Sequence, residues 1–584
     1  MYRRSVTQLS SGAPYKLATS RRVARSTTLS ASANRKMATM ASFKVPKVEN
    51  EPNHHYAPNT PSRLALDAAL TALRSKSPQK IPLHIGATLK TTPELQTQFI
   101  PSSHTTTLAT SSSASAADVT AAISSALSVK HSWSSLPFPD RAAIFLKAAD
   151  LISTKYRYQL LALTMLGQGK SAWQAEIDAA AELADFLRFN VAYAEELYAQ
   201  QPAKNSPNVW NRVEYRPLEG FVYAISPFNF TAIGGNLAAA PALMGNVVLW
   251  KPSPAALASN YLVYQILLEA GLPEGVIQWV PGDAEVVTKA VLAHKEFAGL
   301  HYTGSTEVFR GLYGKISEGV REGRYKGYPR IVGETGGKNF HLIHASAERR
   351  NAVVQTVRGA FEYQGQKCSA CSRVYIPESI SKDFLAELKT EVEGLKVGPP
   401  EGWENFIGPV IHRESFEKLR AVIDAANKDK KLKLLTGGKY DDSEGFYIHP
   451  TVYVAKDPAH ELFNKELFGP VLVVYVYKDS EWEDILKTVE KGGGGYALTG
   501  SVFAKDRSVI RQAEEALREA AGNFYINCKS TGAVVGQQPF GGARASGTND
   551  KAGSMSLLTR FVSARSIKEE FVGMEKVGYP SNEV

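Results

Sequence analysis

The chain has 584 residues, 44% of them hydrophobic and 21% charged, enough apolar material to bury a large core and to divide into two or more domains. Its formal charge of +10 is concentrated at one end: ten basic residues, from Arg3 to Lys47, precede the first acidic one, Glu49, and the 57 that remain match the 57 acidic ones. A near-neutral body excludes an electrostatic case for nucleic acid or an anionic membrane, three cysteines exclude a disulfide framework, and no apolar run approaches the roughly 18 residues of a membrane span.

Residues 1–45 are rich in Arg, Ser, Thr and Ala, contain no acid and lack a continuous apolar stretch. That is the composition of an organellar transit peptide; a basic tail that stays attached is the competing reading. Residues 49–115 are rich in Pro, Thr and Ser with little periodicity, which predicts an extended arm over the surface. Helical periodicity follows at 140–156, where Ala143, Ile144, Leu146, Ala149 and Leu151 share a face, and at 175–199. Residues 208–213 and 214–216 read as short strands that project from the body. Apolar segments at 221–225, 246–250 and 299–303 then alternate with helical ones at 234–244, 256–270 and 284–293. Continuous apolar strands with helical crossovers make a parallel sheet covered on both faces. Ligands on such sheets bind beyond the carboxyl ends of the strands.

Those ends carry chemistry. Lys251, with Ser253 beside it, suits hydrogen bonds to ribose hydroxyls. Gly304-Ser305-Thr306-Glu307 opens a helix at 308–316, where free N–H groups hold a pyrophosphate or where ordinary turn and N-cap residues sit. The Gly-x-Gly-x-x-Gly dinucleotide motif is absent. Glu334, in Gly333-Glu334-Thr335-Gly336-Gly337, is a carboxylate among glycines after an apolar strand end, placed to be a general base in a confined site. A helix at 351–361 leads into Gly365-Gln366-Lys367-Cys368-Ser369-Ala370-Cys371, before a short strand at 374–376. Cys368 then lies on a helix-to-strand connection, with small neighbours and with Lys367 adjacent to favour the nucleophilic thiolate. The plainer readings are a small buried hydrophobe, or half of a redox pair or zinc site with Cys371, for which Cys528 supplies no matching ligands. A late Gly-rich stretch, 532–542, either holds a carboxylate on its N–H groups or is simply a loop.

In this order, Ser226-Pro227-Phe228-Asn229-Phe230, Lys251-Pro252-Ser253, Gly304-Ser305, Glu334-Thr335-Gly336-Gly337-Lys338, Gly365-Gln366-Lys367-Cys368, Glu466-Leu467-Phe468-Gly469-Pro470 and Pro539-Phe540-Gly541-Gly542 resemble the aldehyde dehydrogenase superfamily over most of residues 120–570. The resemblance implies an α/β fold. It has a Rossmann-like NAD domain (46–207 and 220–335), an α/β catalytic domain (336–542) and a small β oligomerisation projection (208–219 and 556–575). It implies Cys368 as nucleophile, Asn229 and the Cys368 N–H as oxyanion donors, and Glu334 as the base that activates water. NAD is expected against Ser226, Lys251, Ser253, Gly304, Ser305, Glu466 and Phe468, and no metal is expected.

Residues 361–373 and 541–551 are similar to the branch of that superfamily which oxidises glutamate γ-semialdehyde, the hydrolysed form of Δ1-pyrroline-5-carboxylate, to glutamate. This is the second step of proline breakdown, carried out in the mitochondrial matrix. In that branch Ser369 and the N–H groups of Gly532 and Ala533 would anchor the substrate carboxylate, with Phe230 and Phe540 flanking the methylenes. A homo-oligomer, at least a dimer, is implied, with possible functional coupling to a separate proline dehydrogenase. Two departures stand out: Ala533 where many relatives have serine, and Pro254 where many carry an acid that helps to select NAD over NADP. The competing functions are oxidation of another carboxylated semialdehyde such as succinate semialdehyde, a silent binding scaffold, and acyl transfer to coenzyme A. Glu334 favours water as the acceptor.

Overall fold

Two seven-stranded sheets organise the chain in the computed structural model, which describes residues 44–76 and 78–583. The first runs Arg330–Glu334, Phe297–Thr303, Phe221–Ile225, Val247–Lys251, Ile277–Trp279, Leu83–Ile85, Thr88–Lys90. Its first five strands are parallel and its last two are antiparallel additions. The apolar run at 221–225 lacks alternation because both faces are covered. Val222 and Ala224 join one core with Val248 and Trp250. Phe221 and Tyr223 join the opposite one with Val247 and Leu249.

The second sheet runs Leu432–Thr436, Thr451–Ala455, Val471–Tyr477, Cys371–Pro377, Asn339–Ile343, Thr499–Phe503, Asn523–Ile526, parallel except for its first strand. Its alternate residues again feed two cores, Tyr375 one and Val374 and Ile376 the other. The chain passes from the first sheet to the second between Glu334 and Asn339, so Glu334 closes one sheet just before the other begins.

Several expectations need correction. Residues 49–115 are not one extended arm. Pro61–Arg74 is a helix capped by the Thr60 hydroxyl, and Leu95–Ile100 and Ser103–Ser112 form an antiparallel pair with Gln79–Ile81 at its edge. The Ser/Thr-rich run pairs well because threonine suits a pleated, half-buried surface. Residues 45–57 have no secondary structure. The segment at 175–199 begins as a π-helix, Glu176–Glu182, and continues as the α-helix Leu183–Tyr198.

The two short strands at 208–216 are a single one, Val209–Pro217, paired antiparallel with Val562–Glu570. Residues 556–561 do not belong to that projection, since Leu557, Leu558 and Phe561 are buried in the main core. The expected transit peptide lies outside the described residues apart from Lys44 and Val45, and the Val45 N–H already bonds Glu195 at 2.9 Å. Among the described residues no helix is long and apolar enough to cross a membrane.

Candidate active site

The helix Arg349–Phe361 ends in a turn that few sequences tolerate. Tyr363 and Gln364 take left-handed φ values of 51° and 54°, followed by Gly365 at 65°. Such non-glycine residues cost on the order of 1–2 kcal/mol each and persist only where the surroundings fix them. Here the Gln364 amide donates to the Gly169 and Pro409 carbonyls at 2.8 and 2.9 Å, and the Gln366 side chain accepts from the Ile411 N–H at 2.9 Å. The turn delivers Cys368 to the wall of a cavity of about 420 Å³, lined also by Phe230, Ser369, Gly532, Ala533 and Phe540. Ser369 is buried with its hydroxyl 2.7 Å from that of Thr531, and Gly532 has a φ of +95°.

Asn229 is buried, and its amide donates to the Gln366 carbonyl at 3.1 Å. One amide hydrogen is left over. Glu334 accepts the Gly542 N–H at 2.9 Å; a Cβ on Gly541 would sit 3.0 Å from the Glu334 carboxylate, so glycine leaves that carboxylate room. Burial pushes Glu334 up to about 8, with the Gly542 N–H and Lys551 opposing and Asp550 reinforcing. Burial also pushes the Cys368 thiol up to about 12, helped by the carboxylates of Glu334 and Glu466 and opposed by the Ser369 and Cys368 N–H groups.

The expected help from Lys367 is absent. Its ammonium bonds Glu362 at 3.1 Å, and the same carboxylate takes Lys529 at 2.9 Å and Arg358 at 2.9 Å. The cation beside Cys368 in sequence is therefore neutralised by Glu362. Cys371 lies in the apolar core beneath the second sheet, and among the described residues no His, Cys, Asp or Glu cluster could hold a metal ion.

Of the residues expected around a dinucleotide, Ser226, Lys251, Ser253, Gly304 and Ser305 lie at strand ends of the first sheet, and Glu466 and Phe468 lie in the segment before the Val471–Tyr477 strand of the second. The Ser226 hydroxyl accepts from Trp250 at 3.0 Å. Lys251 closes its strand only 6% exposed, and burial pushes it down to about 8 with Asp283 opposing. Ser253 caps the following turn. The Gly304 N–H bonds the Glu334 carbonyl at 3.1 Å, and Ser305 is the N-cap of the helix Thr306–Arg321, whose first-turn N–H groups have no intrahelical partners. Glu466 accepts the Gly337 N–H at 2.8 Å and is pushed up by burial. Phe468, at φ 55°, packs edge-on against Phe228 at 5.8 Å. Glu466 and Phe468 line a hollow that shares Lys367 with the larger cavity.

Residues 90–567 match the profile of the aldehyde dehydrogenase family. The chain belongs to that family. It is 66% identical over 551 residues to the mitochondrial Delta-1-pyrroline-5-carboxylate dehydrogenase of Emericella nidulans, over 94% of this chain and 96% of that one. It is 48% identical over 524 residues to the mitochondrial enzyme of that name from Homo sapiens, over 90% and 92%. Among solved structures, the Mycobacterium tuberculosis Delta-pyrroline-5-carboxylate dehydrogenase bound with NAD superposes with a TM-score of 0.89 at 48% identity, over 94% of this chain and all of that one.

This aldehyde dehydrogenase fits NAD on its own geometry. A buried ammonium without an ion pair among the described residues, a helix N-terminus after Gly304 and a half-buried carboxylate at Glu466 are the donor and acceptor types that ribose and pyrophosphate require. Sequence reasoning missed Glu182. It closes the π-helix, lines the cavity, and is pushed up to about 8 by burial and by Asp178. The available signal was Glu176, Asp178, Glu182 and Asp185 in an Ala-rich helical stretch, more acid than a packing helix needs.

Proposed function

We propose that this aldehyde dehydrogenase oxidises glutamate γ-semialdehyde to glutamate with NAD, and that its sequence-assigned site residues act as follows. The observation that carries the substrate is one cavity joining the Cys368 thiol to Ser369, Gly532, Ala533 and Glu182. It offers neutral donors for an α-carboxylate and an acid for an α-ammonium, with Phe230 and Phe540 beside the methylenes.

Once Cys368 gives up its proton to solvent, its sulfur attacks the aldehyde carbon and the carbonyl π pair moves to oxygen. The spare Asn229 amide hydrogen and the Cys368 N–H hold that oxyanion, a contribution of about 3–4 kcal/mol per donor. When bound, NAD supplies the hydride acceptor, and Ser226, Lys251, Ser253, Gly304, Ser305, Glu466 and Phe468 hold it. Glu334 then takes a proton from water as that water adds to the Cys368 thioester. Collapse expels the thiolate and frees glutamate. An acid poised near pH 8 suits this task, because it is basic enough to deprotonate water and titrates close to neutrality.

The mitochondrial relatives support a mitochondrial protein, with residues 1–45 as transit peptide and the matrix as its site. The two sheets correspond to an NAD domain and a catalytic domain. Val209–Pro217 with Val562–Glu570 forms a projection carrying Trp210 at 49% exposure, a surface suited to a second copy of this chain. Light scattering at micromolar concentration is expected to read at least a dimer, and a monomer alone would contradict this. The deciding assay is NADH production from Δ1-pyrroline-5-carboxylate beside succinate semialdehyde and acetaldehyde, with Cys368→Ala as control. Strong preference for the first, lost in the variant, is expected; preference for succinate semialdehyde overturns the substrate.

A further inference from the structure

Residues 45–56 have no secondary structure of their own, yet they are tied down along their length. The Glu51 carboxylate sits between Arg157 and Arg188, 2.7 Å from each. The Arg157 guanidinium also donates to the Pro52 carbonyl at 2.8 Å. Glu176 receives the His54 N–H at 2.8 Å and the Tyr56 hydroxyl at 2.6 Å. These bonds tie the segment to the elements that carry Arg157, Glu176 and Arg188.

Asn50 is placed differently. Its amide donates to the Asp185 carboxylate at 2.7 Å and to the Val535 carbonyl at 2.7 Å, while its side-chain oxygen accepts from the Gln537 amide at 2.9 Å. The adjacent Glu51 N–H takes the other Asp185 oxygen at 2.7 Å. Asp185 lies three residues beyond Glu182, close to one helical turn along. Val535 and Gln537 belong to the loop that presents Gly532 and Ala533. Asn50, Glu51 and Asn53 themselves line the cavity. One side chain thus joins the two cavity walls that carry the groups for the polar end of the substrate.

We propose that residues 45–56 form a third wall of the substrate cavity, and that Asn50 is a positioning residue that sets selectivity for aldehydes with a charged far end. It does so by holding the loop at 532–538 against the Glu182 helix. This rests on the glutamate γ-semialdehyde reading. The loop needs such a brace: Gly532 and Gly536 take φ values of +95° and +82°, and most of its residues are exposed. A residue that must be ordered on binding costs backbone entropy, and a pre-ordered loop avoids that cost. The reacting carbon depends on Cys368, Asn229 and Glu334, none of which the arm touches through these bonds. Loosening the arm therefore acts on the polar end of the substrate more than on the chemistry.

The test uses the full chain and reads the ratio of kcat/KM for glutamate γ-semialdehyde to that for propionaldehyde, with KM and kcat separated. Asn50→Ala is expected to lower that ratio about tenfold, mainly through KM. Asn50→Asp removes the amide donor and sets a carboxylate against Asp185, and it should lower the ratio at least as far. Combining Asn50→Asp with Asp185→Asn restores the pair between positions 50 and 185 with its polarity reversed but leaves the Val535 carbonyl without its donor, so it should recover the ratio part of the way from Asn50→Asp toward the unaltered enzyme. A fold-stabilising role alone would not move a ratio between two substrates of one enzyme. The inference fails if Asn50→Ala leaves the ratio unchanged, or if the double variant is no better than Asn50→Asp. An unaltered enzyme with no preference for glutamate γ-semialdehyde sinks the substrate assignment and this inference together, whereas a preference untouched by Asn50→Ala sinks this inference alone.

Discussion

At the scale of single residues the site is governed by burial. Glu334 and Cys368 are both pushed up, to about 8 and about 12, because each ionised form loses hydration that the few nearby N–H groups replace only in part. Raising the pH favours the working form of both. Steady-state kcat should therefore climb through pH 8 and level off above it, with the rate at pH 7 about one-tenth of the plateau if Glu334 limits. Glu334→Gln should remove that limb, with a burst of about one NADH per Cys368 followed by turnover at least about a hundredfold slower, as an acyl-enzyme without its base requires. A variant with no burst would show that Glu334 serves an earlier step. Glu182 separates the competing substrates. Glu182→Gln should raise KM for glutamate γ-semialdehyde about tenfold or more and leave succinate semialdehyde, which has no ammonium, unaffected. Equal effects on both would assign Glu182 to the structure of the cavity.

At the scale of elements, the loop at 532–538 carries the groups proposed for the substrate carboxylate. Ala533 offers its N–H to a carboxylate but no hydroxyl. Ala533→Ser should lower KM for glutamate γ-semialdehyde by roughly threefold to tenfold, the worth of one added hydrogen bond to a charged group. A rise in KM would mean that the added hydroxyl is turned from the substrate and only crowds the cavity.

What was legible in the sequence at this scale follows from period and punctuation. The strands at 221–225 and 247–251 are continuous apolar runs stopped by Ser226-Pro227 and Pro252, so their ends, and the ligand-facing residues on them, could be placed. The Cys368 connection could be placed for the same reason. Composition misled at 95–112, where serine and threonine were read as irregular chain although β-branched residues pair well in strands. The π-helix at Glu176–Glu182 was illegible because its extra residue per turn leaves the apolar count nearly helical. The role of Lys367 was misread because adjacency in sequence says nothing about direction: Glu362, five residues earlier, neutralises its ammonium.

At the scale of the whole molecule, the amino-terminal arm joins buried charge pairs of the fold to the substrate cavity. Arg157 is almost wholly buried and shares its charge between Glu51 and Glu176; Arg188 relies on Glu51 and on an exposed Asp150. Removing residues 1–43 touches none of these pairs, so a chain that begins at Lys44 should keep the melting temperature and the kcat/KM of the mature enzyme. Removing residues 1–52 takes Asn50 and Glu51 together. Arg157 then keeps one carboxylate where it had two, and breaking one side of a buried pair typically costs about 3–5 kcal/mol. The shorter chain should melt several degrees lower by calorimetry, on the order of 1–2 °C per kcal/mol for a fold of this size, and it should also lose preference for the carboxylated aldehyde. Lower stability with unchanged preference would confine the arm to fastening the fold. Equal stability would show that the Arg157 and Arg188 pairs contribute nothing net. The expected result restricts presequence cleavage to a point before Asn50, because a cut further into the arm removes part of the substrate cavity along with the targeting signal.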